Sequence, residues 1–330
     1  MRASLSELLA TGRVLLADGA TGTNYFAAGL MSGDPPELWT IDRPESVMDL
    51  HRGFVEAGSD IILTNTFGCN RQRLKLHNAQ DRTYELARAA AELARTVADS
   101  VDRPVVVAGS VGPTGELFEP LGLLTHDDAV ASFSEEIRGL KDGGADVAWI
   151  ETMSSPEEVH AAAVAAIAVG MPYVATCSFD TAGRTMMGLM PGDLSQVLSV
   201  EIVPPLAMGA NCGVGAPDIL VSVLEMEGSA FPLITKGNCG VPHFEGTEIV
   251  YSGTPELMAR YTTAAINAGA RIVGGCCGTT PTHIAAMREA IDGHTPGDRP
   301  TLETIVEMVG ALVNSAPAIT AERRSRRSQG

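Results

Sequence analysis

Positive charge is scarce in this 330-residue sequence. Lysine and arginine total 23 against 40 aspartates and glutamates, which gives a formal net charge of −17. Nucleic-acid binding needs a basic surface that neutralises phosphates, so we expect no nucleic-acid partner. Four arginines between 323 and 327 are an exception to the acidic balance. They lie in a polar stretch over residues 313–330, which we expect to be a flexible C-terminal tail.

Long apolar runs are also missing. No stretch reaches the ~18–20 residues that span a bilayer. Glu7 and Arg13 interrupt the N-terminal segment where a signal peptide would lie. These absences predict a cytoplasmic protein with no membrane partner. Thiols stay reduced in the cytoplasm, so we expect the six cysteines to be free rather than paired in disulfides.

Short β-rich runs recur along the sequence and alternate with segments of helical periodicity. Such alternation predicts a parallel sheet covered by helices. No GxGxxG motif follows the first run, which disfavours an open dinucleotide-binding sheet. We therefore predict an α/β fold, a single-domain (β/α)8 TIM barrel over residues 1–312. The eight predicted strands are Val14–Ala17, Asp60–Leu63, Pro104–Ala108, Ala145–Ile150, Tyr173–Cys177, Leu206–Gly209, Pro232–Ile234 and Arg271–Val273.

Polar or sulfur-bearing residues follow nearly every predicted strand. Barrel enzymes place their active sites at this carboxyl-terminal face. We therefore predict that these side chains form one site. The residues are Asp18, Asn65, Thr66, Ser110, Glu151, Asn211, Cys212, Lys236, Asn238, Cys276 and Cys277.

Three of these residues are cysteines at two strand ends. Cys276 and Cys277 are flanked by glycines, and Cys212 follows an earlier strand. Neighbouring side chains point apart along an extended chain, so both thiols reach one ion only if the chain turns there. Three thiolates would leave the fourth position of a zinc ion open, as in catalytic sites. Packing, or a disulfide between Cys276 and Cys277, is the alternative.

The remaining cysteines and the histidines give no comparable signal. We expect Cys69, Cys177 and Cys239 to be small buried hydrophobes. The seven histidines show no metal-binding spacing, and none of them ends a predicted strand.

The ligand set indicates a reaction class. Zinc coordination keeps a further thiol deprotonated at neutral pH. A thiolate is the nucleophile needed to attack an activated methyl group, so we predict alkylation of a substrate sulfur. Asp18 and Glu151 are then expected to bind the ammonium group of an amino-acid thiol. A turn or N-cap role for Asp18 and a surface ion pair for Glu151 are the alternatives.

Several motifs together resemble those of the homocysteine S-methyltransferase family, from about residue 10 to residue 292. The resemblance implies a (β/α)8 barrel with Zn²⁺ on Cys212, Cys276 and Cys277. It also implies homocysteine thiolate as the fourth ligand, near Asp18 and Glu151, and methionine as the product. The motifs are Asp18-Gly19-Ala20-Thr21-Gly22-Thr23, Thr64-Asn65-Thr66-Phe67, Gly109-Ser110-Val111-Gly112-Pro113, Gly209-Ala210-Asn211-Cys212 and Gly274-Gly275-Cys276-Cys277-Gly278-Thr279.

The methyl donor is a separate question. The stretch Ser178–Gly188 is similar to bacterial betaine–homocysteine S-methyltransferases, which implies glycine betaine. Trp39 would cap its quaternary ammonium by a cation–π contact, with plain packing as the alternative. Animal betaine enzymes carry a further aromatic residue after the second strand, where this sequence has Gly68-Cys69. Dimethylsulfoniopropionate, S-methylmethionine or a separate methyl-corrinoid protein is the alternative donor.

Two interpretations lie outside this class. Lys236 after a late strand suggests a Schiff-base aldolase, which would need a depressed lysine pKa. The cysteines alone would also suit a non-catalytic zinc or thiol-sensing module. The sequence leaves the oligomeric state open, with a homo-oligomer among the possibilities.

Overall fold

The computed structural model describes residues 2–240, 242–245 and 248–314. Eight parallel strands form one sheet, and a short antiparallel hairpin precedes the last of them in the chain. The strands of the sheet are β1 (Leu15–Leu16), β2 (Ile61–Leu63), β3 (Val106–Val111), β4 (Val147–Met153), β5 (Tyr173–Cys177), β6 (Met208–Cys212), β7 (Leu233–Gly237) and β10 (Ala270–Gly275). The hairpin strands are β8 (Pro242–Glu245) and β9 (Glu248–Tyr251).

The sheet closes on itself. Its strand order is β1-β10-β7-β6-β5-β4-β3-β2. Its two ends meet through a parallel bridge between Ala17 and Ile61. The Asp60 N–H donates to the Leu16 carbonyl at 2.7 Å, and the Asp18 N–H donates to the Ile61 carbonyl at 3.0 Å. The predicted (β/α)8 barrel is therefore confirmed.

Helices cover the outer face of the sheet. Their apolar faces and the outward side chains of the strands form the larger of the hydrophobic clusters. The α-helices are α1 (Leu5–Ala10), α2 (Gly22–Ala27), α3 (Trp39–Asp42), α4 (Pro44–Glu56), α5 (Arg71–Lys75), α6 (Thr83–Ala98), α7 (His126–Asp142), α8 (Pro156–Val169), α9 (Leu194–Leu198), α10 (Ala216–Glu225), α11 (Pro255–Asn267), α12 (Pro281–Asp292) and α13 (Leu302–Val309). Short 3-10 helices span Pro36–Leu38, Gln80–Arg82 and Pro191–Asp193.

Local signals in the sequence set several of these boundaries. Gly58, Gly144 and Gly269 each have positive φ between a helix and the next strand. A side chain is unfavourable in that conformation, so glycine ends the helix there. Thr280 caps α12, and Pro281 takes its first position, where the missing N–H of proline costs no hydrogen bond.

Four of the eight barrel strands, β3, β4, β6 and β7, begin and end later than predicted. β3, β4 and β7 each extend three residues further than predicted, so Ser110, Glu151 and Lys236 lie within the last three residues of these strands. Their predicted position at the carboxyl-terminal ends is confirmed, although the strands do not stop before them. Their polar side chains are paired inside the barrel, which lets the backbone ladder continue past the apolar run. Pro104 and Pro232 in turn lie outside the strands, since proline has no N–H for the ladder.

A separate apolar cluster fills the lower part of the barrel. Inward side chains of the strands, including the fully buried Trp149, pack with Leu5 and Leu8 of α1. Barrel interiors are filled by such layers of side chains and are not pores. The buried polar side chains Ser110 and Glu151 lie further along their strands, toward the carboxyl-terminal face.

α13 is the last helix of the described residues and packs against the barrel. Ile305 and Val309 of α13 are buried in the larger cluster. From residue 315 onward the predicted basic tail lies outside the described residues. Within the described residues, none of the helices combines the length and the apolar character that crossing a bilayer requires.

The close approach of β6 and β7 gives a prediction about stability. A Cβ atom on Gly209 would lie 1.9 Å from the Ile234 carbonyl oxygen. We expect Gly209→Ala to lower the free energy of unfolding by about 3 kcal/mol, since backbone must move. Gly22→Ala is the control, because a Cβ there would meet nothing within 4 Å. Equal urea midpoints for the two variants would contradict the packing described here.

Candidate active site

Three cysteine thiols meet at the carboxyl-terminal end of the barrel. Cys212 is the last residue of β6, and Cys276 and Cys277 directly follow β10. Their sulfur atoms all lie within 4.8 Å of one another, and all three thiols are free. Within the described ranges, no other set of three histidine, cysteine or acidic side chains is grouped so closely. Cys69, Cys177 and Cys239 are buried and free, as predicted.

The turn after β7 ties the two cysteine segments together. The Asn238 Oδ1 accepts the Cys277 N–H at 3.0 Å, and the Asn238 Nδ2 donates to the Gly213 carbonyl at 2.7 Å. The Cys276 N–H donates to the Gly237 carbonyl at 2.8 Å. β7 lies between β6 and β10 in the sheet. Its end therefore connects the segments that carry the three thiols.

The backbone bends at both cysteine segments. Cys212 has a φ of 62°, in the left-handed region that residues other than glycine seldom adopt. Strain of this kind is held by surrounding structure and is concentrated at functional sites. At the other segment the Thr279 N–H donates to the Cys276 carbonyl at 3.1 Å. The predicted turn at Cys276 and Cys277 is thus present.

A buried ion pair lies beside the thiols. The Lys236 Nζ donates to the Asp18 Oδ1 at 2.8 Å, and the Leu63 N–H donates to the Asp18 Oδ2 at 2.7 Å. Both charged side chains are 2% exposed. Burial lowers the pKa of Lys236, but the Asp18 and Glu151 carboxylates raise it further, and the net shift is upward. The 2.8 Å contact between a lysine nitrogen and a carboxylate oxygen is the geometry of an ammonium–carboxylate ion pair.

Glu151 is the second buried carboxyl group of the site. The Ser110 Oγ donates to its Oε1 at 2.6 Å, and the Asn211 Nδ2 lies 3.5 Å from its Oε2. Burial raises the pKa of Glu151 to about 7, while the charge of Lys236 acts in the opposite direction. Glu151 is only 7% exposed, so the alternative of a surface ion pair is wrong. Among the four carboxyl oxygens of Glu151 and Asp18, the Glu151 Oε2 has the longest hydrogen-bond contact.

Two of the other predicted site residues act as supports in the structure. The Thr66 Oγ1 donates to the Ser110 carbonyl at 2.6 Å, which holds the strand that carries Ser110. The Asn65 Nδ2 donates to the Pro36 carbonyl at 2.7 Å and lies 3.3 Å from the Thr40 Oγ1. Asn65 thereby fastens the segment after α2 to the end of β2.

Trp39 lies in a small apolar cluster of its own. Its ring is 5.2 Å from the ring of Tyr25, and Leu30 and Val47 complete the cluster. The Arg43 guanidinium lies 4.7 Å from the centre of the Trp39 ring. The cation over this ring in the structure is therefore an arginine of the chain itself. A role for Trp39 in donor binding stays a prediction.

Thr152 is a site residue that the sequence pattern does not reveal. Its N–H donates to the Asn211 Oδ1 at 2.8 Å, and its Oγ1 accepts from the Asn211 Nδ2 at 2.7 Å. The Thr176 hydroxyl also donates to the Asn211 Oδ1, at 2.7 Å. Thr152 has a φ of 61°, which is an outlier for a β-branched residue. Asn211 is thus fixed next to Cys212, with its Nδ2 4.0 Å from the Cys276 sulfur.

Tyr251 is a second residue that the sequence does not reveal. It ends β9 and lies against the residue that follows Cys277. Its ring packs against Gly278, where a Cβ atom would lie 2.4 Å from the Tyr251 Cβ. No motif in the sequence places the hairpin over the cysteines, so only the three-dimensional fold brings Tyr251 to this site.

The spacing of the three thiols suits a single zinc ion. Tetrahedral Zn–S bonds of about 2.3 Å put ligand sulfurs about 3.8 Å apart, which agrees with the observed limit of 4.8 Å. The three thiols are not joined to each other as a disulfide, so the alternative pairing of Cys276 with Cys277 is not what the structure shows. Asn238 and Asn211 orient the segments that carry the ligands, as second-layer groups do at metal sites.

Comparison with known proteins decides the family. The sequence model of the homocysteine S-methyltransferase family matches residues 15–291. This range begins in β1, ends in α12 and contains all three cysteines. The chain belongs to the homocysteine S-methyltransferase family.

Relatives of this homocysteine S-methyltransferase family member include longer proteins. It is 31% identical over 296 residues to a methionine synthase of Mycobacterium tuberculosis, a match that covers 84% of this chain and 25% of that protein. A methionine synthase of Mycobacterium leprae is 31% identical over 317 residues, covering 89% of this chain and 26% of that one. The chain thus spans about a quarter of the length of these relatives.

Solved structures show the same fold. The oxidised form of the homocysteine methyltransferase MmuM from Escherichia coli is 25% identical, with a TM-score of 0.70, and the match covers 84% of this chain and 95% of that one. Its metallated form is 24% identical, with a TM-score of 0.71, and covers 86% and 98%. At this identity the metallated structure supports the fold alone.

The interpretation of Lys236 as a Schiff-base lysine is not supported in this family member. Such chemistry needs a neutral amine with a depressed pKa. The Lys236 Nζ is instead bonded to the Asp18 carboxylate, and the net shift of its pKa is upward. A non-catalytic zinc or thiol-sensing role is not tested by the geometry.

The contacts of Thr152 give a testable prediction. Thr152→Val keeps the shape of the side chain but leaves the Asn211 Nδ2 without its nearest acceptor. We expect this variant to lose about 1–3 kcal/mol in the free energy of unfolding, the cost of a buried unpaired donor. Thr152→Ser keeps the hydroxyl group and should lose much less. Urea unfolding of both variants is the measurement, and equal losses would contradict a role for the hydroxyl group.

Proposed function

We propose that this chain transfers a methyl group from a small onium donor to the thiol of homocysteine and forms methionine. The observation that carries the proposal is the group of three free thiols within 4.8 Å at the mouth of the barrel. Membership of the homocysteine S-methyltransferase family supports the same reaction class. A buried carboxyl pair beside the thiols supports an amino-acid thiol as the acceptor.

Cys212, Cys276 and Cys277 would hold a zinc ion. When bound, this ion would supply a Lewis acid that keeps the substrate thiol deprotonated at neutral pH. The protein holds its own three sulfurs in place through Asn238 and the backbone of β7. The Tyr251 ring packs against Gly278, beside Cys277.

The carboxyl groups would bind the amino group of homocysteine. Glu151 is the main candidate, because its Oε2 has only a long contact to Asn211 at 3.5 Å. Both oxygens of Asp18 already accept hydrogen bonds, from Lys236 and Leu63. Asp18 would therefore contribute mainly negative charge near the ammonium group. Ser110 and Asn211 would keep Glu151 in position.

Glycine betaine is our first candidate for the methyl donor. The acidic residues of the site and its thiolates would attract a cationic donor, and this holds for sulfonium donors too. Dimethylsulfoniopropionate and S-methylmethionine are therefore the alternatives within the class. If Trp39 binds the donor, the contact of its ring with Arg43 at 4.7 Å has to give way.

The methyl transfer itself would need no general acid or base. A carbon–sulfur bond to homocysteine forms while the bond from the methyl group to the donor nitrogen breaks, and the donor leaves as a neutral amine. The thiol proton leaves before this displacement, so no general base is needed during it. Rate enhancement would come from holding donor and thiolate in line in a buried site.

Methionine formation tests the proposal directly. Zinc-loaded, reduced protein is incubated with homocysteine and, separately, glycine betaine, dimethylsulfoniopropionate or S-methylmethionine. Methionine from one donor without added corrinoid would establish both the reaction and the donor. No methionine from any donor, despite bound zinc, would contradict the proposal. It would then favour a methyl-corrinoid protein as donor or a thiol-sensing role.

The metal ligands give a matched prediction. Cys276→Ala should lose zinc on dialysis and lose turnover, because two thiols remain in the site. Cys69→Ala is the control, since Cys69 is buried and its sulfur contacts the Thr83 carbonyl at 3.5 Å. Zinc per chain is measured by atomic absorption, independently of turnover. Full zinc retention in Cys276→Ala would contradict the ligand assignment.

A further inference from the structure

Lys236 is a buried charge that the proposed reaction does not use. It lies inside β7 and is only 2% exposed. Its Nζ is 2.8 Å from the Asp18 Oδ1 and 5.7 Å from the centre of the Trp149 ring. Among the described residues, no other basic side chain hydrogen-bonds to Asp18 or Glu151, the buried carboxyl groups of the site.

The hydrogen-bonding capacity of Lys236 exceeds its observed partners. An ammonium group has three N–H donors. Within the described part of the chain, only the Asp18 Oδ1 accepts from it. Burying a charged donor without acceptors is costly, so a group of this kind is expected to find a further acceptor. A ligand in the barrel mouth is one source of such an acceptor.

The neighbouring charges suggest which ligand would fit. Glu151 and Asp18 place negative charge at the site, and Lys236 places positive charge directly beside them. Adjacent groups of opposite sign complement a zwitterion, whose ammonium and carboxylate groups are themselves close together. A carboxylate would accept hydrogen bonds from Lys236, and charge-assisted bonds of this type are among the stronger ones.

We propose that Lys236 is a substrate-binding residue that donates hydrogen bonds to the carboxylate of a zwitterionic ligand. This inference rests on the proposed function, since homocysteine and glycine betaine both carry a carboxylate. The shared chemistry is the carboxylate, and the experiment separates the two sources.

The test is a thermodynamic cycle in which the lysine side chain and the ligand carboxylate are removed separately and together. Binding to zinc-loaded wild type and Lys236→Met is measured by calorimetry, without turnover. Homocysteine is compared with 3-aminopropane-1-thiol, and glycine betaine with tetramethylammonium. In the wild type we expect the carboxylate to improve affinity roughly 10- to 100-fold for one of the two pairs. In Lys236→Met that ratio should fall toward one, and the pair that responds identifies the ligand.

Two further variants guard against a folding defect. Asp18→Asn combined with Lys236→Met removes both charges, so that no unpaired charge is buried. This double variant should also lose the preference for the carboxylate, whereas Lys236→Arg should keep part of it.

The outcomes separate this inference from the proposed function. A wild-type carboxylate preference that persists in Lys236→Met and in the double variant, for both ligand pairs, would overturn the inference. Lys236 would then only balance the charge of Asp18. Failure of wild type to bind homocysteine would instead contradict the proposed function.

Discussion

The site depends on the convergence of three thiols around the end of one strand. β7 separates the strands that lead to Cys212 and to Cys276 and Cys277. Asn238 and the Gly237 carbonyl bond to both cysteine segments from this position. The positive φ of Cys212 is the local cost of this arrangement. A closed parallel barrel supplies the rigid frame that keeps such a bend in place.

Beside the three thiols, the barrel interior holds a group of buried charged side chains: Asp18, Lys236 and Glu151. Trp149 and the apolar side chains below it exclude water, so the ion pair of Asp18 and Lys236 lies in a medium of low polarity. Glu151 lies in the same group, and burial raises its pKa. Thiols on one side and paired charges on the other suit a small ligand that carries sulfur, ammonium and carboxylate groups. The thiols and the buried charged side chains together support an amino-acid thiol as the methyl acceptor.

Much of this arrangement is predictable from the sequence. Alternating apolar runs and helix-ending glycines predict the barrel, and Cys212, Cys276 and Cys277 stand where strands end. Other features depend on the fold in three dimensions. Strands β3, β4 and β7 continue past their apolar runs because the polar side chains are paired inside the barrel. Thr152 lies at the site because its backbone has a positive φ, and Tyr251 lies there because the β8–β9 hairpin carries it. Neither feature produces a periodic pattern in the sequence.

The central claim is that Cys212, Cys276 and Cys277 bind one metal ion together. X-ray absorption at the zinc edge of the zinc-loaded, substrate-free protein measures the sulfur neighbours of the ion directly. The account predicts three sulfur neighbours per zinc, at about 2.3 Å. Two or fewer sulfur neighbours, in protein that carries one zinc per chain, would contradict it.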